Sequence, residues 1–351
     1  MKSTNNISGL LKRLLLFLTP MFLAIATYAY LDPFKVVLHY DSVYAHNYTG
    51  GVGLNAGYVS TATFDNNCKH IAYNSFIFGN SRSIYYRVYE WQKYLSHGCM
   101  PYHFDASAET IDGIARKMAY IQSKGLRIHN ALLIIDASVV SRTTPLDGHL
   151  YALPPQLCAY RNFLKFHTDF LCAFLNPKFL CAFTDYSING KIKDYMKHDY
   201  LLSDEHFTYS PTTNECCYDF YEQQIASGTY YTPERMKVFD GVQHPDSISP
   251  KVIGTKQLAV LKHISQILHT QATNYKIVIS PLYNQIKFNP ADLAILHRMF
   301  GKENVYDFSG KNRFTNDYHN YYEQSHYRPT VASDILHIIY PETEIAGNGK
   351  N

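Results

Sequence analysis

Apolar positions change their period along this chain, and the changes mark out its elements. From Leu14 to Leu31 the residues are uncharged on every face, with Lys2, Lys12 and Arg13 before them and Asp32-Pro33 after. This run of about eighteen residues, rising about 1.5 Å each, is near the lower limit for crossing a bilayer. Residues 1–31 therefore read as an upright, uncleaved membrane anchor with its amino end in the cytoplasm and the rest of the chain exported. Ala24-Ile25-Ala26 also suits signal peptidase, so a cleaved signal peptide is the alternative. Residues 32–69 are polar, Tyr-rich and without clear period, and read as a linker and lead-in.

Strand and helix signals alternate from about residue 70 to 340. Ser75–Phe78 is a short apolar run before Gly79, and Ile84, Val88, Trp91 and Leu95 follow at helical spacing. Tyr102–Asp105 predicts a strand, Ser107 a helix N-cap, and Ile111, Ile114, Met118 and Ile121 an inward stripe closed by Gly125. Ala131–Ile135 predicts a third strand running into Asp136-Ala137-Ser138. Later, Ser249-Pro250 predicts a helix start, with Leu258, Leu261, Ile264 and Leu268 facing inward. Lys276–Ile279 and Val305–Asp307 predict strands on either side of a helix opened by Asn289-Pro290. Pro329 then starts a terminal helix that buries Val331, Ile335 and Ile339, and residues 341–351 form a tail. Such alternation predicts an α/β domain built on a doubly wound parallel sheet.

Periodicity fades between 140 and 246, which marks an inserted, mainly helical subdomain. Its clearest feature is the pentapeptide Phe-Leu-Cys-Ala-Phe, at Phe170–Phe174 and again at Phe179–Phe183, with Pro177 between the copies. A helical hairpin broken at the proline follows, placed either to cap a site or to lie on the membrane surface.

Composition narrows the function classes. With Lys+Arg 32 against Asp+Glu 29 and a net charge of +3, no basic excess points to nucleic acid. Tyrosine is abundant, 31 residues against 1 Trp, and fills half-buried core positions more often than it lines carbohydrate grooves. Seven cysteines is an odd number for an exported chain, none has Cys-x-x-Cys spacing, and most read as small buried hydrophobes rather than metal ligands.

Candidate chemistry lies in two distant segments, Gly79-Asn80-Ser81-Arg82 between strand and helix and Glu323-Gln324-Ser325-His326-Tyr327-Arg328-Pro329 before the last helix. A serine hydroxyl at the carboxyl edge of a sheet sits where open α/β folds bind ligands. His326 can take its proton, and Glu323, three residues earlier, can hold the imidazole in the required tautomer. Gly79 permits the tight turn, and the backbone after Ser81 offers N–H groups to an oxyanion. His244 and Asp246 form a second polar group better explained by a turn at Pro245, and Asp317, His319 and Tyr321 are loop residues or the lining of a sugar groove.

Gly-Asn-Ser after the first strand and Glu-x-x-His before the last helix resemble the two ends of the SGNH/GDSL hydrolase pattern. The Gly-Asn-Ser-Arg form and the His-Tyr-Arg-Pro ending look most like its membrane-anchored branch associated with envelope polysaccharides, including alginate O-acetylation proteins. The resemblance implies a flavodoxin-like, three-layer α/β/α fold with Ser81 as nucleophile, His326 as base and Glu323 as orienting carboxylate, needing neither metal nor cofactor. It also implies an oxyanion hole with a glycine from the second block and an asparagine from the third, where this chain has Ala106-Ser107 and Asp136-Ala137-Ser138. Asn80, Arg82, Ser107 and Asp136 are the oxyanion or substrate candidates. The implied activity is acyl-ester hydrolysis or transfer on an extracytoplasmic glycan, with a membrane-bound acyl donor protein as a conceivable partner. The alternative is a non-catalytic glycan-binding or assembly partner.

Overall fold

The structure, a computed structural model, describes residues 2–158, 160–240 and 246–341. Five parallel strands form the central sheet: β1 (Ser75–Gly79), β2 (Pro101–Asp105), β3 (Asn130–Ile135), β4 (Asn274–Ile279) and β5 (Val305–Asp307). Their order is β5-β4-β3-β1-β2. The chain leaves β1 for β2 on one side and returns to β3 on the other, so the doubly wound sheet switches direction beside the carboxyl end of β1.

Alternate strand residues feed two cores, because successive side chains on a strand point to opposite faces. Phe76, Phe78, Leu133 and Ile277 pack under α4 (Ile111–Ser123), α8 (Thr255–Thr270) and α9 (Pro290–Phe300). Ile77, Leu132, Ile134 and Val278 pack under α10 (Pro329–Ile339) and the short α3 (Val88–Gln92). Strands covered on both faces read as unbroken apolar runs, which is why the sequence predicts them well.

Local structure departs from expectation in four places. The 32–69 segment contains α2 (Ala56–Asn67), capped by Asn55, whose Oδ1 accepts from the Tyr58 N–H at 2.8 Å. Phe64 of α2 is fully buried against Phe104 of β2, while small residues such as Ser60 and Thr63 fill the rest of the inward face. Their hydroxyls are satisfied by the Asp105 carbonyl at 2.7 Å and the Tyr209 hydroxyl at 2.8 Å, so the helix buries its face without an apolar stripe. The N-cap of α4 is Thr110, accepting from Gly113 N–H at 2.9 Å, and Ser107 lies in the preceding turn. The helix after Ser81 is broken into a 3-10 turn at Ser83–Tyr85 and α3, because Tyr85 and Tyr86 turn inward to pack against Tyr327. The helix expected from Ser249-Pro250 begins at Thr255 instead. The Asp292 carboxylate of α9 holds the segment before it by accepting from Val252 N–H at 2.7 Å and Ile253 N–H at 3.3 Å.

The insertion holds the hairpin of α6 (Tyr160–Phe174) and α7 (Pro177–Asn189), and a small antiparallel sheet in which Phe207–Ser210 pairs with Glu215–Cys217 and with Asn47–Tyr48 of the lead-in. All seven cysteines are free; Cys99 is buried, whereas Cys172 and Cys181 are exposed. The amino-terminal helix α1 (Lys2–Leu31) has a 23-residue segment, Gly9–Leu31, long and apolar enough to cross a membrane. The expected His244–Pro245 turn lies outside the described residues.

Burial of Phe64 makes α2 part of the main core. Phe64→Ala is expected to cost about 3–5 kcal/mol in chemical denaturation; a loss below about 1 kcal/mol would mean the lead-in is only draped over the sheet.

Candidate functional site

Strand register builds the site. Gly79 pairs with Asp105 on one side and Ile134 on the other, so Ser81, Ser107 and Asp136 each follow two residues beyond one row across the sheet edge. A Cβ at position 79 would lie 2.7 Å from the Ile134 carbonyl oxygen and 2.8 Å from Ser83 Cβ, so only glycine lets β1 approach β3 this closely. Glu323 and His326 face each other across a two-residue turn between Tyr321–Glu323 and His326–Tyr327, just before α10.

The two distant segments meet. His326 Nε2 lies 2.7 Å from Ser81 Oγ, and His326 Nδ1 hydrogen-bonds Glu323 Oε1. Glu323 Oε2 accepts from the Ser325 N–H at 2.9 Å. Burial works to raise the Glu323 pKa, but the bond from His326, the Ser325 N–H and nearby Arg82 outweigh it and hold the carboxyl below its ordinary range. A hydroxyl, an imidazole and a carboxylate thus form one hydrogen-bonded line.

Arg82 locks this line to the sheet. Its Nη1 donates to Asp136 Oδ2 at 2.7 Å and its Nε to the Ser325 carbonyl at 2.8 Å, joining the end of β3 to the turn that carries His326. Asp136 also accepts from Asn80 Nδ2 at 3.0 Å, Ser138 N–H at 2.6 Å, Val139 N–H at 3.2 Å and the Ser138 hydroxyl. Although burial opposes ionisation, the Arg82 charge and these donors lower the Asp136 pKa. Three of the four oxyanion or substrate candidates, Asn80, Arg82 and Asp136, thus bond to one another in a structural network. A carboxylate that accepts five hydrogen bonds donates none. Ser107 differs: it lines the cavity, and among the described residues neither its backbone N–H nor that of Ser81 has a protein acceptor.

Beneath the Ser81 turn lies His103 of β2, which is fully buried. Ser83 Oγ donates its single proton to the Asn80 carbonyl at 2.8 Å, so His103 Nε2, 3.0 Å away, must be the donor of their mutual bond. Burial, then the nearby Lys117 charge, pushes the His103 pKa down to about 3 and keeps the ring neutral. Its signal in the sequence is one polar residue inside an apolar strand.

Ser81 and His326 open into a cavity of about 500 Å³. The lead-in supplies Tyr44, Tyr48 and Leu54 to its walls, and the insertion supplies Arg142, Tyr151, Glu205 and Tyr218. The sequence pattern singles out none of these, because they sit in its aperiodic stretches. Glu205 is open to solvent within the cavity yet ringed by protein; the resulting desolvation raises its pKa, opposed by His326 and by Tyr218, whose hydroxyl donates at 3.4 Å. Many other tyrosines, such as Tyr73, Tyr102, Tyr321 and Tyr327, are core residues.

Asp317, His319 and Tyr321 divide. His319 pairs with Asp317 at 2.8 Å on the exposed surface, and Tyr321 is buried with its hydroxyl on the Pro281 carbonyl at 3.2 Å. Asp246 is an exposed partner of Lys311 at 3.8 Å. Among the described residues no group of three or more His, Cys, Asp or Glu is arranged to hold a metal ion. Compared with family models, curated proteins and solved structures, the chain matches none.

Asp105 gives the site a pH signature. Burial, only partly offset by Lys117 and the bond from Asn214 Nδ2, pushes its carboxyl from 3.8 up to about 6. Between those values the folded chain holds a proton that the unfolded chain has lost, so stability falls as pH rises through about 4 to 6. Asp105→Asn keeps an acceptor for Asn214 and removes the titration. Its melting temperature is expected to exceed wild type at neutral pH and to lack this decline; an unchanged slope would contradict the assignment.

Proposed function

We propose that this chain is a serine-dependent acyl-ester hydrolase or O-acyltransferase of the SGNH type, acting outside the cytoplasm on a glycan. The observation that carries the proposal is the Ser81–His326–Glu323 line at the carboxyl edge of a parallel sheet, opening into a cavity of ligand size. Strand order supports the flavodoxin-like, three-layer part of the reading. An anchor formed by α1, with Lys2, Lys12 and Arg13 before it, supports the extracytoplasmic location.

The reaction runs as follows. His326 Nε2 takes the Ser81 proton while Oγ attacks the acyl carbon, giving a tetrahedral oxyanion. The free backbone N–H groups of Ser81 and Ser107 are the donors available to that oxyanion. Collapse breaks the ester C–O bond, and the proton on His326 passes to the leaving alcohol. Water or a sugar hydroxyl then attacks the acyl-serine and gives its proton to His326; collapse breaks the bond between the acyl carbon and Ser81 Oγ, His326 returns the proton to Oγ, and acid or a new ester is released. Throughout, Glu323 stabilises the imidazolium without itself taking the proton.

One observation favours a second reading. Asp136 occupies the place where the resemblance asks for an asparagine donor, and its carboxylate is saturated by other groups. Loss of one oxyanion donor costs about 10²–10³ in turnover, which is compatible with a glycan-binding module that keeps the fold. A fluorophosphonate probe separates the two: the enzyme acquires a covalent adduct on Ser81, and the binding module does not.

For the enzyme, Ser81→Ala and His326→Ala are each expected to lower aryl acetate hydrolysis by at least about 10⁴-fold, with the double variant no worse than either. Glu323→Gln is expected to leave a residual rate, down by about 10²–10⁴. Full activity in Ser81→Ala would rule out this mechanism.

A further inference from the structure

The α6–α7 hairpin is joined to the apolar helix α1 by an unbroken aromatic cluster. Tyr28, inside the segment long enough to span a membrane, is buried with its ring 5.4 Å from that of Phe174 at the end of α6. Phe34 continues the cluster, 5.4 Å from Phe170 and 4.8 Å from Phe179. Thus the first phenylalanine of each pentapeptide packs inward beside the exit of α1, while Cys172 and Cys181, at equivalent positions of the two copies, are exposed. Three residues separate Tyr28 from the end of α1 at Leu31, about 5 Å of helix rise. With α1 in a bilayer, a ring packed on Tyr28 lies at the depth of the lipid interface.

Outward faces of the hairpin suit that position. On α6, Leu164, Thr168 and Cys172 are exposed at helical spacing, with Leu175 exposed in the turn just after it, and on α7 Cys181, Thr184 and Ile188 are exposed. None carries a charge. Leu164 is 65% exposed and Ile188 76%, large values for leucine and isoleucine on a surface meant for water alone. Lys165 and Lys178 flank the stripes and are also exposed, each paired with an aspartate, Asp169 at 2.5 Å and Asp199 at 3.2 Å.

We propose that the α6–α7 hairpin docks on the surface of the same bilayer that α1 crosses, with its uncharged faces in the headgroup region. The docking rests on α1 lying in the membrane and on no part of the catalytic reading. It has a consequence for the cavity. His149 packs between Phe34 at 4.9 Å and Phe170 at 5.3 Å, and its neighbours Leu150 and Tyr151 line the Ser81 cavity. Asn55 ties this wall down by donating to the His149 carbonyl at 2.7 Å and the Ala152 carbonyl at 2.9 Å. The hairpin and the cavity therefore share a wall, and the cavity is held beside the membrane, in reach of membrane-borne substrate.

The exposed cysteines provide the test. The full chain is reconstituted into vesicles of phosphatidylethanolamine and phosphatidylglycerol, and a nitroxide is attached at Cys172 in Cys181→Ser or at Cys181 in Cys172→Ser. The double serine variant supplies the background from the other thiols. Collision of each nitroxide with a water-soluble nickel chelate is expected to be at least about fivefold lower than at Ser227→Cys, a loop control facing water, with collision by oxygen raised. If either label meets the chelate as freely as the control does, the hairpin stands off the membrane and the proposal is overturned.

Discussion

One guanidinium holds the candidate site together. Arg82 follows Ser81 by one residue, yet its bonds run to Asp136 at the end of β3 and to the Ser325 carbonyl between Glu323 and His326. Hydrogen bonds from an ionised donor are the stronger kind, and this ion pair is shielded, with the Asp136 side chain 3% exposed. Asp136 in turn fixes Asn80 and caps α5 (Ala137–Ser141), the helix that follows β3. Three chain segments that meet only in the folded state are thereby locked in one geometry. Charge is indispensable to this arrangement: removing Arg82 would leave Asp136 buried and short of its cation, a costly state.

A second arginine braces the turn from outside. Arg328 makes a bidentate pair with Glu222 of the insertion, at 2.6 and 3.0 Å, and Tyr322 donates to the same carboxylate at 2.7 Å. The His326 turn is thus clamped between the sheet edge and the insertion. The insertion also supplies Glu205 and Tyr218 to the cavity, so the segment that walls the cavity also supports the turn that carries His326. This double use accounts for a compact site built from residues more than two hundred positions apart in the chain.

What could be read in advance follows from the physics of each element. β1, β3 and β4 are covered on both faces and appear as apolar runs, and the helices after Asn289 and Arg328 carry proline in their first turn, so both boundaries were visible. Ser81, Glu323 and His326 stand out in the sequence because each lies at a recognisable turn, the first after Gly79 and the others before Pro329. α2 was hidden because it buries hydroxyls and glycine rather than an apolar stripe, and the start of α8 because Asp292, forty residues away, holds the preceding segment straight. Arg82 and Asp136 were visible as residues, whereas their partnership is a property of the register between β1 and β3. The cavity walls that the lead-in and the insertion supply had no such signal, since Glu205, Arg142 and Tyr44 lie where period is absent.

Arg82 holds His326 in place between Glu323 and Ser81. The most direct measurement is the far-downfield proton resonance of the His326 Nδ1–H, recorded in the wild-type chain and in Arg82→Met. A histidine proton shared with a carboxylate gives such a signal only while the pair is held together and shielded from exchange. The signal is expected in the wild type and is expected to be lost in Glu323→Gln and in Arg82→Met, with the chain folded in each case. A resonance that survives intact in Arg82→Met would show that the turn carries its own geometry and that the clamp is incidental.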